Sequence, residues 1–405
     1  MGNAPRTTTA RHTPDCLAAA CGLCGVHRAA PSAGSSRWRG GADCSRHKGR
    51  MSSRVAPAVD DVLQEALDAV ADNVKPWHTA GFVFVKQLQD AVRNHGRVDL
   101  MTDGDGTNRV AVKRMPNKWV RGGPAEFQQM YPNASERPWV DIALVMHLNT
   151  LSFPFVCEQR GVFRDEENTY VVSSLASEGD LFGWCEREPF PGKAREDKMR
   201  PLAAQAFSAV RWIHDLGVAH RDLSLENILL TVNPDGTESI KLIDFGMSTL
   251  RRTARKEVRG KQSYQAPEMH LEDEYDCFLT DGFSLGVVLY AMAAQDYPWT
   301  STKRHTCKLY EYVHMYGLRR FLSKRRLRKG NGEQLLEVFT PDFVDLVECL
   351  LEREPKKRAT LGEDCFDDSG SVLAWAPGRS RRPRVWQLRW LDGYGDVYRG
   401  DLKDL

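Results

Sequence analysis

Near Asp180 the chain changes its hydrophobic period, and that change limits the possible folds more than any single residue does. Before it, FVFVKQL, GRVDLM and NRVAVKRM (within residues 82–115) are short strand-type runs, with the Gly- and Asp-rich TDGDGTN as a turn between the last two. No helix-length segment separates them, so an antiparallel sheet is expected rather than a βαβ unit. After it, KMRPLAAQAFSAVRWIHDLG, DGFSLGVVLYAMAAQ and TPDFVDLVECLLE space their apolar residues three to four apart, as helices do. Strands gathered in one half and helices in the other predict an α+β fold in two parts. Upstream, DDVLQEALDAVAD puts Val62, Leu63, Ala66, Leu67 and Val70 on one stripe, which predicts a helix docked on the main domain.

Charge is unevenly distributed. Residues 1–50 carry eight Lys/Arg and two Asp, so the other 355 hold 48 Lys/Arg against 52 Asp/Glu, a net of −4. A mildly acidic folded part argues against nucleic acid as partner. Residues 1–55, rich in Ala, Gly, Ser, Thr and Arg, cannot bury a core and read as a disordered or targeting leader. MGNAPR lacks the Ser or Thr of a myristoylation motif, since Arg6 stands there. Cys21, Cys24, Cys44 and His47 have zinc-like spacing, but they lie in a leader whose composition cannot build a core around an ion. Ten irregularly spaced cysteines suggest reduced thiols and a cytoplasmic or nuclear protein. No apolar run is expected to span a membrane.

Within HRDLSLEN, Asp222 and Asn227 precede the apolar run ILL, and Asp244 follows the apolar run SIKLI. Two carboxylates and an amide suit Mg²⁺, which prefers oxygen ligands and keeps phosphates as co-ligands. Lys113, ending the run VAVK, could neutralise phosphate oxygens, and neutralisation plus positioning is most of what phosphoryl transfer needs.

These residues carry a resemblance. VAVK (110–113), HRDLSLEN (220–227), DFG (244–246), APE (266–268), DGFSLG (281–286) and Arg358 occur in the order found in eukaryotic protein kinases, and the chain is identified as resembling that family over about residues 78–367. The resemblance implies a bilobal kinase fold. It would have an antiparallel N-lobe sheet plus one helix (residues 78–172), a hinge (173–177) and a helical C-lobe (178–367), flanked by a helix and linker (56–77) and a tail (368–405). It implies Mg²⁺ and ATP, with a protein Ser/Thr hydroxyl as acceptor. Lys113 would contact the α/β-phosphates, Asp222 would orient or deprotonate the hydroxyl, and Asn227 and Asp244 would hold the metal. His220 and Phe245 would be packing residues, and Arg358 would pair with Glu268. Ser173 would gate the pocket behind the adenine, with Ser174 and Ala176 in the hinge beside it. A monomer is expected.

The chain departs from the family at four places. The glycine-rich loop keeps Gly96 and Val98 but has Ala91 and Arg93 at its other glycine positions, which predicts weaker nucleotide binding. The helix carboxylate that should pair with Lys113 is Asp141, one methylene shorter than the usual Glu; Glu126 is the alternative. Ser224 stands where Ser/Thr kinases place a lysine, and Lys261 stands where they place a threonine, which reads as an exchange of cation and hydroxyl. Residues 247–265 carry six Lys/Arg and one acid, Glu257, so Thr253 or Thr249 could receive a phosphate from an upstream kinase, or the loop could draw acidic substrates. Arg221 marks the subtype in which a guanidinium recognises that phosphate. In the tail, Trp375, Trp386, Trp390, Tyr394 and Tyr398 are expected to cover helices of the C-lobe, and Arg379, Arg381, Arg382 and Arg384 to be solvated.

Overall fold

A computed structural model describes residues 59–328, 332–366 and 383–395, all within one compact unit, Ala58–Leu405. The zinc-like cysteines and His47, Arg6, and Trp375, Arg379, Arg381, Arg382 and Tyr398 lie outside the described residues.

The strand-forming half begins with α1 (Val59–Asp72) and builds a six-stranded sheet in the order β1-β5-β6-β4-β3-β2. Its strands are β1 (Val74–Pro76), β2 (Val83–Ala91), β3 (Gly96–Thr102), β4 (Arg109–Pro116), β5 (Gln159–Arg164) and β6 (Asn168–Ser174). The three runs expected to pair are β2, β3 and β4, antiparallel, with Val98 opposite Lys113. One edge differs from expectation: β1 runs parallel to β5, so the sheet is mixed and this half starts at Val74 rather than residue 78. A three-residue strand is too short for alternation to show in a sequence.

Between β4 and β5 lie α2 (Asn117–Val120), α3 (Pro124–Met130) and α4 (Pro138–Thr150). Helix α4 starts on Pro138, which suits a first turn that needs no N–H there. It buries Trp139, Ile142 and Ala143 against Met115, Val162 and Val171. The predicted amphipathic α1 packs along α4, with Ala66, Leu67 and Val70 in the small-lobe core and Leu63 against the core of the large lobe. One helix therefore braces α4 from both lobes. A cavity of about 40 Å³ remains at that junction, lined by Leu63, Ala66, Leu144, Leu148, Val218 and Leu250 among others.

Strand β6 runs through Ser174, so the expected hinge starts inside a strand. The crossing is residues 175–178, and Glu178 N already donates to Leu230 O at 3.0 Å. The large lobe holds β7 (Gly179–Asp180), α5 (Leu181–Arg187), α6 (Lys193–Asp215), β8 (Ile228–Val232) and β9 (Glu238–Leu242), then β10 (Thr253–Arg255), α7 (Glu268–Leu271) and β11 (Glu274–Asp276). It ends with α8 (Cys277–Ala294), α9 (Lys308–Tyr316), α10 (Leu318–Leu322), α11 (Leu335–Val338) and α12 (Pro341–Leu350). Contrary to expectation, α8 is long and apolar enough to cross a membrane, but all of it is buried inside the lobe, as a core helix is. Arg358 and Glu268 form a buried bidentate pair at 2.5 and 2.9 Å, as the resemblance implied.

Within the tail, Val385, Trp390 and Leu391 are buried. Trp390 Nε1 donates to Glu196 of α6 at 3.1 Å and Trp386 Nε1 to Leu361 O at 2.7 Å. The described tail aromatics thus cover the helices of the large lobe.

His214, fully buried at the end of α6, lies between Asp281 (3.1 Å) and Glu363 (2.8 Å) and stacks on Phe278. Burial alone would lower its pKa, but hydrogen bonds to the two carboxylates, and their charges, push it up to about 9. A pKa raised on folding gives stability that is complete below the unfolded value near 6.5 and lost as pH rises through about 9. Thermal unfolding should therefore show roughly 1–3 kcal/mol lost between about pH 6.5 and 9.5. In His214→Gln that pH dependence should be absent.

Candidate active site

Asp281, in the first turns of α8, anchors the site. Its carboxylate is buried and accepts His220 N at 2.7 Å and Arg221 N at 2.8 Å. Arg221 has φ 68°, a left-handed conformation that costs a non-glycine residue energy, and these two bonds hold it there. His220 accepts from Asp222 N through Nδ1 and donates from Nε2 to Ile243 O, so its ring fixes the loop from within, beside Phe245. Both His220 and Phe245 are fully buried packing residues, as expected.

The loop presents Asp222, buried, with every oxygen engaged. Asn227 Nδ2 donates to its Oδ2 at 3.0 Å and to its backbone carbonyl at 2.7 Å. Lys261 N donates to Oδ1 at 3.1 Å. Burial raises the pKa of Asp222, while Arg93 and Lys261 oppose that rise. Gly260 makes the approach of Lys261 possible: it has φ 81°, and a Cβ there would lie 2.8 Å from Arg221 O. The ammonium of Lys261 lies 2.9 Å from Ser224 Oγ and 3.0 Å from Glu226. The two residues read as exchanged are in direct contact.

Across the cleft, Lys113 Nζ is 2.8 Å from Asp141 Oδ2 and 3.7 Å from Asp244 Oδ1. The other oxygen of Asp141 accepts Phe245 N at 2.8 Å, so one short carboxylate ties α4 to both the sheet and the segment carrying Asp244. Glu126 is engaged elsewhere, accepting Gly122 N. Burial would lower the pKa of Lys113, but Asp141, Asp244 and Glu136 raise it well above the ordinary value. Asp244 has φ 67°, and its buried Oδ1 has no hydrogen-bond partner. An orphaned carboxylate oxygen facing a lysine, with the Asn227 amide nearby on the 220–227 loop, fits a site for a hard cation.

Four features were not legible in the sequence. Glu136, just before α4, is buried against Asp244, and a Cβ on Gly246 would overlap its Oε1. Burial and the Asp244 charge push its pKa up to about 8. Arg93, at the β2–β3 turn, reaches Asp222 Oδ2 at 2.5 Å. Gly96, expected to approach phosphate, is required for packing: a Cβ there would overlap Arg114 O. Ala91 pairs with Gly96 at the base of the turn, and Val98 sits across from Lys113. Finally, Glu257 is gripped by Arg221 at 2.9 Å and Arg259 at 3.2 Å. Its only sequence signal is that it is the one acid among six cations.

At the hinge, Ser173 pairs with Ala111 and Gln159, and Ser174 N is engaged by Glu158 O at 2.8 Å. Ala176 lies in the crossing itself.

A mixed small sheet, a helix linked to it by Lys113–Asp141, and a helical lobe presenting Asp222, Asn227 and Asp244 define the protein kinase fold. The chain belongs to that family: residues 94–368, about two thirds of it, match the protein kinase domain. It is 31% identical over 262 residues to CBL-interacting protein kinase 25 of Oryza sativa subsp. japonica, covering 63% of this chain and 44% of that protein. With serine/threonine-protein kinase SRK2A of Physcomitrium patens it shares 29% identity over 67% of this chain and 74% of that one. With SRK2E of Arabidopsis thaliana it shares 34% over 51% and 52%. The chain thus spans less than half of the rice relative and about half of SRK2E.

Proposed function

We propose that this chain is an active protein kinase that transfers the γ-phosphoryl group of ATP to Ser or Thr hydroxyls of protein substrates. The observation that carries the reading is the Lys113–Asp141–Phe245 linkage. It holds α4, the sheet and the Asp244 segment in one arrangement, which an inert scaffold has no need to maintain. Asp222 would accept or orient the hydroxyl proton, and its raised pKa makes it a stronger base than a solvated aspartate. Asp244 and Asn227 would hold Mg²⁺, which would supply positive charge to neutralise the phosphates. Lys113 would neutralise the α/β-phosphates, and Lys261 would supply the cation that Ser224 cannot. Arg93 must leave Asp222 Oδ2 before a hydroxyl can reach it, and phosphates entering beneath the β2–β3 turn would draw it away.

A second reading, a pseudokinase that serves as a binding module, has Arg93 on its side, because that side chain occupies the base. The full chain incubated with Mg·ATP and Ser-, Thr- and Tyr-acceptor peptides separates the two. Labelling of the first two alone supports the proposal; labelling of none supports the second reading.

Ser173 leaves room behind the adenine position, so adenine analogues with bulky substituents should inhibit strongly. Ser173→Met should weaken them by at least about tenfold, a methionine's bulk being worth more than ~1.4 kcal/mol of lost fit. An unchanged inhibition constant would remove Ser173 from the pocket. The remaining parts of the reading are a monomer, placed in the cytoplasm on the strength of free buried thiols such as Cys157, Cys185 and Cys277. Thr253, which is exposed, or Thr249 is available to an upstream kinase.

A further inference from the structure

Residues 247–265 carry six cations, four of which pair with acids outside the segment: Arg252 with Asp276, Arg255 with Glu274, Lys256 with Asp273 and Lys261 with Glu226. The one acid within the segment, Glu257, is instead turned toward Arg221 of the 220–227 loop and Arg259. Its Oε2 is 2.9 Å from Arg221 Nη2 and 3.2 Å from Arg259 Nη2. Its backbone carbonyl accepts Tyr275 OH at 2.7 Å, and Arg221 also donates to that hydroxyl at 3.3 Å. A third guanidinium, Arg137, stands close by: burial lowers its pKa, and so do the charges of Arg221 and Arg259, while Glu257 opposes them. Burial raises the pKa of Glu257, but Arg221, Arg259 and Arg137 more than offset this and keep it ionised.

The three guanidiniums come from three different parts of the machine. Arg221 adjoins Asp222, Arg259 belongs to the loop itself, and Arg137 leads α4 while its backbone N donates to Gly246 O and its side chain to Ser248 O. We propose that Glu257 is a positioning residue standing where a phosphate would otherwise be needed, so that its carboxylate orders residues 247–265 against the catalytic loop and α4 without modification of the loop. This rests on the kinase reading for its consequence in catalysis, but not for its consequence in loop order. Thr253 is poorly placed to gather the loop in this way, because it pairs across β10–β11 with Asp276 and a phosphate there would face a carboxylate. Thr249 is tied by its backbone to Ala219.

The loop's own cations make the test direct, because trypsin cuts after each of them. The full chain would be treated with phosphatase until intact mass shows no phosphate, then digested briefly, with cuts after Arg251 to Lys261 timed by mass spectrometry. Unmodified wild type should be protected, Glu257→Gln cut about tenfold faster at unchanged melting temperature, and Glu257→Asp should fall between them. Towards a peptide, Glu257→Gln should lower kcat by about tenfold with the KM for ATP unchanged, and Thr249→Ala with Thr253→Ala should match wild type. Equal cutting of wild type and Glu257→Gln, or protection that appears only after Thr249 or Thr253 is phosphorylated, would overturn the proposal. If no variant phosphorylates anything while the difference in cutting persists, the loop proposal stands and the kinase reading falls.

Discussion

Replacing Asp222 with Asn should lower transfer to a protein hydroxyl by about 10³-fold or more, near the upper range for loss of a general base. The amide keeps one oxygen for the two donors, Asn227 Nδ2 and Lys261 N, that Asp222 now accepts on separate oxygens, so one of these bonds is lost; the bond from Asn227 to the backbone carbonyl remains to hold the loop, and nucleotide affinity should change little. What the amide cannot do is take a proton. The loss should appear in kcat, measured with a Ser- or Thr-containing peptide at saturating ATP. A loss confined to the KM for ATP would place Asp222 in binding rather than chemistry.

Removing the ammonium of Lys261 should cost about 10²-fold in kcat, the usual scale for losing one oriented group that stabilises transition-state charge. Ser224→Lys alone should also be impaired, because Ser224 is fully buried and a second ammonium would be forced against that of Lys261, which now lies 2.9 Å from the Ser224 hydroxyl. Lys261→Ala combined with Ser224→Lys should recover most of the activity, since the truncated side chain vacates the space and one cation again serves the site. Such a cycle has a large coupling of opposite sign to the single losses. If the double variant is no better than Lys261→Ala, the two residues have not exchanged roles.

Both effects fall on residues that the sequence alone made visible. Asp222, Asn227, Asp244 and Lys113 stand in the segments HRDLSLEN, DFG and VAVK, and it is the resemblance of these segments, in their order, to protein kinases that implied their meeting. Asp141 was legible as well, because the segment from Pro138 to Thr150 is apolar almost throughout and leaves one acid in its first turn. Arg93, Glu136 and Glu257 were not legible. Arg93 meets Asp222 across 129 residues, and Glu136 and Glu257 act on groups brought near only when the lobes and the loop pack. Hydrophobic period records which face is buried, and says nothing about which charge stands opposite another after folding. The parallel strand β1 escaped for a simpler reason, having three residues and no pattern.

The catalytic reading of this chain depends on an assembled kinase site performing phosphoryl transfer despite its altered loop and exchanged lysine. Phosphosite mapping by mass spectrometry tests this at once, on the full chain and a mixed protein substrate with Mg·ATP, beside the same reaction with Asp222→Asn. Wild type should yield phosphoserine and phosphothreonine that disappear with the variant. Equal silence from both proteins, or equal labelling, would contradict it.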